Sequence, residues 1–436
     1  MSYFNVGYIP DLIDLIVANL ASSKKDLSSC SLVSAAWLPC VRPYLFSTIR
    51  VSQTDSALLS EHISKFLAFI SSSPFICGYI RGVCFSRDDR PDPGLAMNSQ
   101  VVSSILSLLP RLHTLRFINM VFDGHAIGIL FPMPSHKLRL LEFQLILEDS
   151  YTTEDVLDVL GIFSHIGELR LSSRGSLHAG YGAADSIKVF PPAVAHPPYN
   201  LVVSKFVVKD HLSSYQPLIE RLFRTRTIRT VESLEARVLG NQTPDWDVLV
   251  FMTNQMKATL QHLSLDPVLF VAFHDWFYPG YLETFNFICQ VIPTLPHLRS
   301  FSLQSEVSSD ARVFSDIWSL FGSAVSRLPS STRHVRLMLN PRAQDGQMYG
   351  DGHSQVSDIW SRDGLDWEPL RAAFDRFGKL ETATFATGAA HVCVDRRRDL
   401  EAIQRELPDL DRKGVLQYQF IQRDFSWNPL ARMQGR

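Results

Sequence analysis

The chain has 436 residues, of which 46% are hydrophobic and 20% are charged. This much apolar material can bury a large core, which excludes disorder as the main state of the chain. The 42 Lys and Arg residues nearly balance the 44 Asp and Glu residues, and the formal charge is -2. No field of the whole protein therefore draws it to nucleic acid or to anionic lipid.

The first predicted element is a short apolar helix that begins at Pro10. Proline suits the first helical position, and the carboxylate of Asp11 stabilises the positive end of the helix dipole. Apolar residues follow at helical spacing, namely Leu12, Leu15, Ile16 and Leu20, with Ile13 and Val17 widening the stripe. A helix of about ten residues that is apolar over most of its circumference is unstable alone, so it must pack on neighbours.

Two further short helices are predicted before residue 51. We expect Asp26 to be the N-cap of one and Ser34 the N-cap of the other. The first contains Leu32 and Val33, and the second contains Trp37. A strand-like run, Ser47 to Val51, closes the segment. The result is a small helical cluster with little core of its own.

Three short motifs occur in order in this segment: Ile9-Pro10-Asp11-Leu12-Ile13-Asp14-Leu15-Ile16, Ser31-Leu32-Val33-Ser34-Ala35-Ala36-Trp37 and Tyr44-Leu45-Phe46. Together they resemble the F-box of fungal, basidiomycete-type F-box proteins with divergent leucine-rich repeats, over about residues 8 to 51. The family usually has one more residue between the proline and the acidic residue. The resemblance implies a module that binds a Skp-type adaptor, and through it the cullin scaffold of an SCF-type (cullin-RING) ubiquitin ligase.

Large apolar side chains are the anchors that an interface between helices requires. The expected adaptor-binding residues are Pro10, Leu12, Leu15, Ile16, Leu20, Leu32, Val33 and Trp37. The alternative for any one of them is a place in the internal core of the cluster, and Trp37 is the strongest candidate for that place. The first helix, Leu32 and Val33 carry more apolar surface than a small core can hide.

From residue 80 onward the pattern apolar-x-x-apolar-x-apolar returns repeatedly, and each instance predicts a short strand. The instances are Ile80/Val83/Phe85, Leu112/Leu115/Phe117, Leu138/Leu141/Phe143, Ile166/Leu169/Leu171, Leu260/Leu263/Leu265 and Leu298/Phe301/Leu303, with weaker ones at Leu234/Ala236, Val335/Leu337, Leu380/Ala383/Phe385 and Leu416/Tyr418/Phe420. Amphipathic helices are predicted between them, at Ser99 to Leu109, Thr153 to Phe163, Trp246 to Leu260, Glu283 to Ile292 and Phe314 to Arg327.

A repeat of one strand and one helix buries its apolar face only by stacking on its neighbours. We therefore predict an α/β fold in which a three-helix F-box precedes a curved solenoid similar to leucine-rich repeats, with parallel strands on one face and helices on the other. A doubly wound sheet is the alternative. The predicted divisions are 8–51 for the F-box-like domain, 52–79 for a connecting helix or solenoid cap, 80–427 for the solenoid and 428–436 for a flexible tail.

Three segments break the repeat and are polar or rich in Pro and Gly, at 86–97, 172–200 and 340–364. Long insertions lie on the surface of a repeat array, so each is either a recognition loop for a target protein or a tolerated insertion. In a solenoid the variable positions of the strand pattern turn away from the core. They predict a partner-binding surface, with a preference for acidic groups, that contains Arg116, Arg170, Lys205 and Arg336 together with Glu142 and Glu235. The alternative is a solvated face that binds no partner.

No motif for catalysis, for a metal or for a nucleotide cofactor stands out in the sequence, which lacks HExxH, paired CxxC, GxSxG and Walker patterns. We expect no catalytic residue, metal or cofactor, no nucleic-acid partner and no membrane association. The apolar runs are too short to span a bilayer, the N-terminus does not resemble a signal peptide, and the six cysteines are scattered. These features favour the cytoplasm, the nucleus or both. The rival interpretations are a repeat scaffold without ligase docking and an unrecognised α/β hydrolase or transferase.

Overall fold

A computed structural model describes residues 10–52, 59–87, 97–120, 122, 136–145, 153–173, 201–209, 212–224, 230–239, 243–268, 279–307, 311–341, 360, 365–389 and 396–422. The chain forms an α/β fold of two compact units. Unit 1 contains Met1–Ser204 and Glu220–Ile228, and unit 2 contains Lys205–Ile219 and Arg229–Arg436. Twelve strands are present in the described ranges, and every strand pairing within a unit is parallel.

Unit 1 opens with three short helices, α1 (Pro10–Asn19), α2 (Lys24–Ser31) and α3 (Trp37–Leu45). The start of α1 at Pro10 agrees with the prediction. The two predicted caps are wrong. Ser23, not Asp26, caps α2, because the helix begins at Lys24 and places Asp26 in its first turn, where its backbone N–H donates to the Ser23 hydroxyl.

Ser34 does not cap α3, which begins three residues later at Trp37 without any side-chain cap. The third residue of α3 is Pro39, which has no N–H. One of the donors that a cap would satisfy is therefore missing, and proline is tolerated in the first turn for that reason.

The remainder of unit 1 alternates strands and helices. The strands are β1 (Thr48–Ser52), β2 (Gly82–Ser86), β3 (Thr114–Ile118), β4 (His136–Leu145) and β5 (Phe163–Ser173), and the helices are α4 (Leu59–Ser72), α5 (Pro74–Cys77), α6 (Ser99–Leu108) and α7 (Thr153–Leu160). Each strand pairs with the next along the chain. The register aligns the predicted apolar positions into buried rows, and the rings of Phe85, Phe117 and Phe143 stack at centroid distances of 5.9 and 5.5 Å.

Unit 2 continues this alternation. Its strands are β6 (Val202–Lys209, of which Lys205 onward belongs to this unit), β7 (Ser233–Leu239), β8 (His262–Val268), β9 (Ser300–Val307), β10 (His334–Pro341), β11 (Thr382–Ala389) and β12 (Leu416–Gln422). The helices in the same part of the chain are α8 (Gln216–Arg224), α9 (Thr243–Met256), α10 (Pro279–Val291), α11 (Ala311–Arg327), α12 (Glu368–Asp375), α13 (Arg396–Glu406) and α14 (Pro408–Arg412). Again each strand pairs with the next in sequence.

The strand order bears on the choice between a repeat array and a doubly wound sheet. A doubly wound sheet reverses its strand order at a switch point. Among the described strands, neither unit contains such a reversal. Parallel strands joined by crossovers of one hand and one direction place every connecting helix on the same face. In unit 2, α9 packs on α10, α10 on α11 and α11 on α12, as one layer of helices would.

A backbone feature recurs near the start of the strands in both units. The carbonyl of one residue accepts hydrogen bonds from two successive N–H groups at the start of the next strand or, in β4, from its fourth and fifth residues, Arg139 and Leu140. In unit 1 these carbonyls belong to Ser47, Arg81 and His113, and in unit 2 to Glu232, Gln261, Arg299 and Arg333, with N–O distances of 2.7 to 3.1 Å. The repeated strand pattern of the sequence therefore corresponds to a repeated backbone geometry.

All ten predicted strand patterns lie on or immediately before strands, so this prediction is confirmed. The predicted helix from Thr153 to Phe163 is too long, because α7 ends at Leu160 and Phe163 already opens β5. The sequence did not predict β6, α8 or α12. The predicted connecting segment 52–79 contains α4 and α5.

Most of the predicted insertions 86–97, 172–200 and 340–364, and the tail 428–436, lie outside the described residues. Among the described helices, none has the length and apolar character that crossing a bilayer requires. The cysteines of the described ranges are free thiols, at Cys30, Cys40, Cys77, Cys84 and Cys289.

Candidate functional site

The three N-terminal helices form a core from four buried aliphatic side chains, Ile13 and Val17 of α1, Leu27 of α2 and Val41 of α3. Ile13 and Val17 are four residues apart and therefore share one helix face. Half-buried side chains complete the core, among them Leu20, Cys30, Trp37, Cys40, Tyr44 and Leu45. Both α1 and α2 pack on α3, so α3 joins the bundle together.

Lys24 ties the start of α2 to the end of α3. Its Nζ donates to the carbonyl oxygens of Tyr44 at 2.5 Å and of Leu45 at 2.6 Å. These carbonyls belong to the last turn of α3, where a cation is favourable for the helix dipole. Partial burial lowers the pKa of Lys24. The sequence analysis missed this residue, because its partners are backbone groups 20 and 21 positions away and leave no local pattern.

The outward side of the same bundle carries large apolar side chains. Leu15 is 61% exposed and Ile16 is 36% exposed on α1, while Leu32 is 85% and Val33 62% exposed just after α2. At 100° per residue, Leu15 points away from the core positions Ile13 and Val17. We call Leu15, Ile16, Leu32 and Val33 the outer apolar set.

The eight expected adaptor-binding residues thus differ in their exposure and packing. The outer apolar set is available to a partner, and Leu12 is half-buried. Leu20 and Trp37 pack against the internal core of the bundle instead, as the alternative interpretation of Trp37 anticipated. Pro10 is the first residue of α1.

The expected partner-binding cations lie on the polar side of the strands. In unit 1, register aligns Arg116 with Glu142 and Glu142 with Arg170. The guanidinium of Arg116 is 3.1 Å from Glu142 Oε2, and that of Arg170 is ion-paired with Glu168. The carboxylates of the sheet itself therefore neutralise both cations.

In unit 2, Lys205 Nζ is 2.9 Å from Glu235 Oε2, so it too has an ion-pair partner. Arg336 lies on β10 between Ser302 of β9 and Thr384 of β11. Its Nε is buried and has no hydrogen-bond partner among the residues that the structure describes. Three of the four expected cations are thus paired within the protein, which weakens the attraction of this polar face for an acidic partner.

Within the described ranges, no group of three or more His, Cys, Asp or Glu side chains is placed to hold a metal ion. One open depression of about 290 Å³ lies between α11 and α12, and Arg376 is the one ionisable residue in its lining. Arg376 donates to the carbonyl of Ser326, so this depression offers no pair of acid and base.

The chain was also compared with known proteins. It matches no protein-family model and no curated protein. The functional interpretation therefore depends on the residues and geometry of the chain itself.

Proposed function

We propose that this protein is a substrate-receptor subunit of a cullin-RING (SCF-type) ubiquitin ligase. Its N-terminal bundle would bind a Skp-type adaptor and through it the cullin scaffold. The strands and helices of the two units would form a solenoid similar to leucine-rich repeats and would present a target protein. The ligase supplies the chemistry on other subunits, so the protein itself would not be an enzyme, and its place of action would be the cytoplasm, the nucleus or both.

The outer apolar set is the observation that carries this proposal. Burying one large aliphatic side chain stabilises an interface by about 1.5 to 3 kcal/mol. Leu32, at 85% exposure, has nearly all of this contribution still to gain. Exposed apolar residues that belong to one small structural element indicate a protein-binding surface.

The internal packing of the bundle supports the same conclusion. Its core is already formed by Ile13, Val17, Leu27 and Val41 with their half-buried neighbours. The outer apolar set is not needed to fill that core. It is therefore surplus to the folding of the bundle, and this is what a docking function requires.

The repeat features of the two units support the solenoid part of the proposal. Neither unit reverses its strand order among the described strands, and the same carbonyl geometry opens successive strands. Such arrays offer an extended polar strand face to a partner protein. The second candidate function, a repeat scaffold without ligase docking, would keep this face but would leave the outer apolar set without a role.

Binding to a purified Skp-type adaptor tests the proposal. Leu15→Asp and Leu32→Asp each place an unpaired carboxylate in an apolar contact, so each should weaken adaptor binding by about a hundredfold or more. Phe75→Asp is the matched control, because Phe75 is 87% exposed in the same unit but lies on α5, outside the bundle. It should leave binding unchanged. Failure of the unaltered chain to bind the adaptor would refute the ligase interpretation and favour the scaffold.

A further inference from the structure

Unit 1 carries a second surface, at the edge where its strands begin. The carbonyl of Arg81 accepts from the N–H of His113 at 2.8 Å, and the carbonyl of His113 accepts from the N–H of Arg139 at 2.8 Å. These residues therefore lie side by side on three neighbouring strands, with their Cα atoms about 5 Å apart from strand to strand. Two cations, Arg111 and Lys137, lie two residues before His113 and Arg139 respectively.

We call Arg81, Arg111, His113, Lys137 and Arg139 the basic ladder. All five side chains are exposed. None of them forms an ion pair with any residue of the described ranges. On β5, the position beside Arg139 is occupied by Gly167, where a Cβ would lie only 2.9 Å from the Arg139 carbonyl oxygen. No side chain of β5 therefore covers Arg139 from that position.

The basic ladder differs from the two comparable surfaces of the protein. On the polar face of unit 1, Arg116 and Arg170 are held by carboxylates of neighbouring positions. At the equivalent strand-start positions of unit 2 the residues are Glu232, Gln261, Arg299 and Arg333, of mixed charge, and Arg333 is paired with Glu381 at 2.8 Å. Arg and Lys side chains without an ion-pair partner among the described residues, namely Arg81, Arg111, Lys137 and Arg139, are thus a property of this edge of unit 1.

We propose that the basic ladder binds an extended acidic segment of a protein, rich in carboxylates or phosphorylated side chains. This inference rests on the proposed function, because it names the chemistry of the target that the receptor holds. Clusters of Arg bind carboxylate and phosphate groups through paired N–H donors. The basic side chains repeat about every 5 Å from strand to strand, so acidic side chains one or two residues apart on an extended chain, whose rise is about 3.3 Å per residue, can reach successive members of the basic ladder.

A protein segment fits this surface better than a nucleic acid does. The basic ladder spans three strands and so contacts only a few phosphates, whereas nucleic-acid affinity grows with the number of phosphates neutralised. Surfaces that bind single strands also carry exposed aromatic side chains on which bases stack, whereas Tyr79, which lies two residues before Arg81, is half-buried. The formal charge of -2 provides no wider positive field.

Fluorescence anisotropy with the full chain, without adaptor, tests the inference independently of the ligase proposal. The probe is a labelled oligoglutamate peptide of about eight residues, long enough to cross the basic ladder. An oligoglutamine peptide of equal length is the neutral control, and a labelled oligothymidylate of similar length tests the nucleic-acid alternative. The matched protein variants are R81E with R139E in unit 1, and R299E with R333E at the equivalent positions of unit 2.

We expect oligoglutamate to bind, oligoglutamine not to bind, and affinity to fall as salt is raised. R81E with R139E should weaken oligoglutamate binding by about tenfold or more, because each reversal replaces an attraction by a repulsion. The same variant should gain affinity for an oligolysine peptide, which an unfolded variant would not do. R299E with R333E, which has the same change in net charge, should retain at least about half of the affinity.

Equal weakening by both double variants would overturn the assignment to unit 1, since it would reflect net charge alone. Absence of oligoglutamate binding would overturn the inference as a whole. Tighter binding of oligothymidylate, lost in R81E with R139E, would assign the basic ladder to nucleic acid instead. Because no adaptor is present, each of these outcomes leaves the separate adaptor-binding test unaffected.

Discussion

Two substitutions in the N-terminal bundle should separate its own stability from its binding of a partner. Ile13 is 2% exposed and belongs to the buried core, so Ile13→Ala removes three carbon atoms from a packed site. Truncations of this kind cost about 2 to 5 kcal/mol. Leu32 is 85% exposed, and substitutions at such positions change stability by about 0.5 kcal/mol or less.

Amide hydrogen exchange of the full chain, followed by mass spectrometry, measures this difference helix by helix. A loss of about 2 kcal/mol corresponds to roughly thirtyfold faster exchange through local opening. We expect at least this acceleration in α1, α2 and α3 for Ile13→Ala, because all three helices share one core. Leu32→Asp should leave exchange in these helices within about twofold of the unaltered chain.

Adaptor binding should show the opposite order of effects. Leu32→Asp should abolish it while the bundle stays protected, and Phe75→Asp should change neither quantity. If Leu32→Asp accelerated exchange as strongly as Ile13→Ala, Leu32 would belong to the internal core and the reasoning from its exposure would be refuted. If binding survived Leu32→Asp in a protected bundle, the outer apolar set would not be the docking surface.

Two further predictions test unit 2. A Cβ at position 388 would lie 2.1 Å from Asn340 Oδ1, so Gly388→Ala should lower the free energy of unfolding by about 1 to 3 kcal/mol in urea titrations. Gly378→Ala is the control, because a Cβ there would have no atom within 4 Å, and it should change the free energy of unfolding by less than about 0.5 kcal/mol. Equal effects of the two substitutions would contradict the crowding at position 388. Burial raises the pKa of Tyr418, whose hydroxyl also contacts Asp399. The folded state therefore keeps a proton that the unfolded state loses above about pH 10, and stability should fall with rising pH in that range. Tyr418→Phe should flatten the alkaline fall of the urea midpoint, and an unchanged slope would assign it to other groups.

The strand pattern of the sequence was sufficient to place ten of the strands because it depends on local alternation. Each repeat buries residues such as Val83 and Phe85 on one face, and register then aligns them with Leu115 and Phe117. β6 was missed although Val203, Phe206 and Val208 carry the same pattern and are buried, because this copy directly follows the predicted insertion 172–200. Helix caps were predicted less well, because a cap depends on the residue at which the chain turns, which tertiary packing decides.

The outer apolar set illustrates how much of an exposed apolar surface a sequence can reveal. A helix as short and apolar as α1 must contain inward and outward apolar residues, and the sequence identified both kinds together. Dividing them requires the contacts of α3, which bury Ile13 and Val17 and leave Leu15 exposed. Leu20 was expected at the interface and lies against the core, and so does Trp37, for which the core was the stated alternative, because large side chains fill the space between three short helices best.

Parallel strands in register place the same position of successive repeats side by side. The two charged surfaces of unit 1, the polar strand face and the basic ladder, differ in the residues that are aligned in this way. At the variable strand position the repeats alternate in sign, from Arg116 to Glu142 to Arg170, so neighbouring charges neutralise one another. At the strand-start position the sign does not alternate, since Arg81 is followed by His113 and then by Arg139. Single strands carry basic residues at both positions, so one strand taken alone does not show which of these residues have acidic neighbours. Only the alignment between repeats shows that the basic ladder lies side by side on neighbouring strands without an acidic partner within the described sheet.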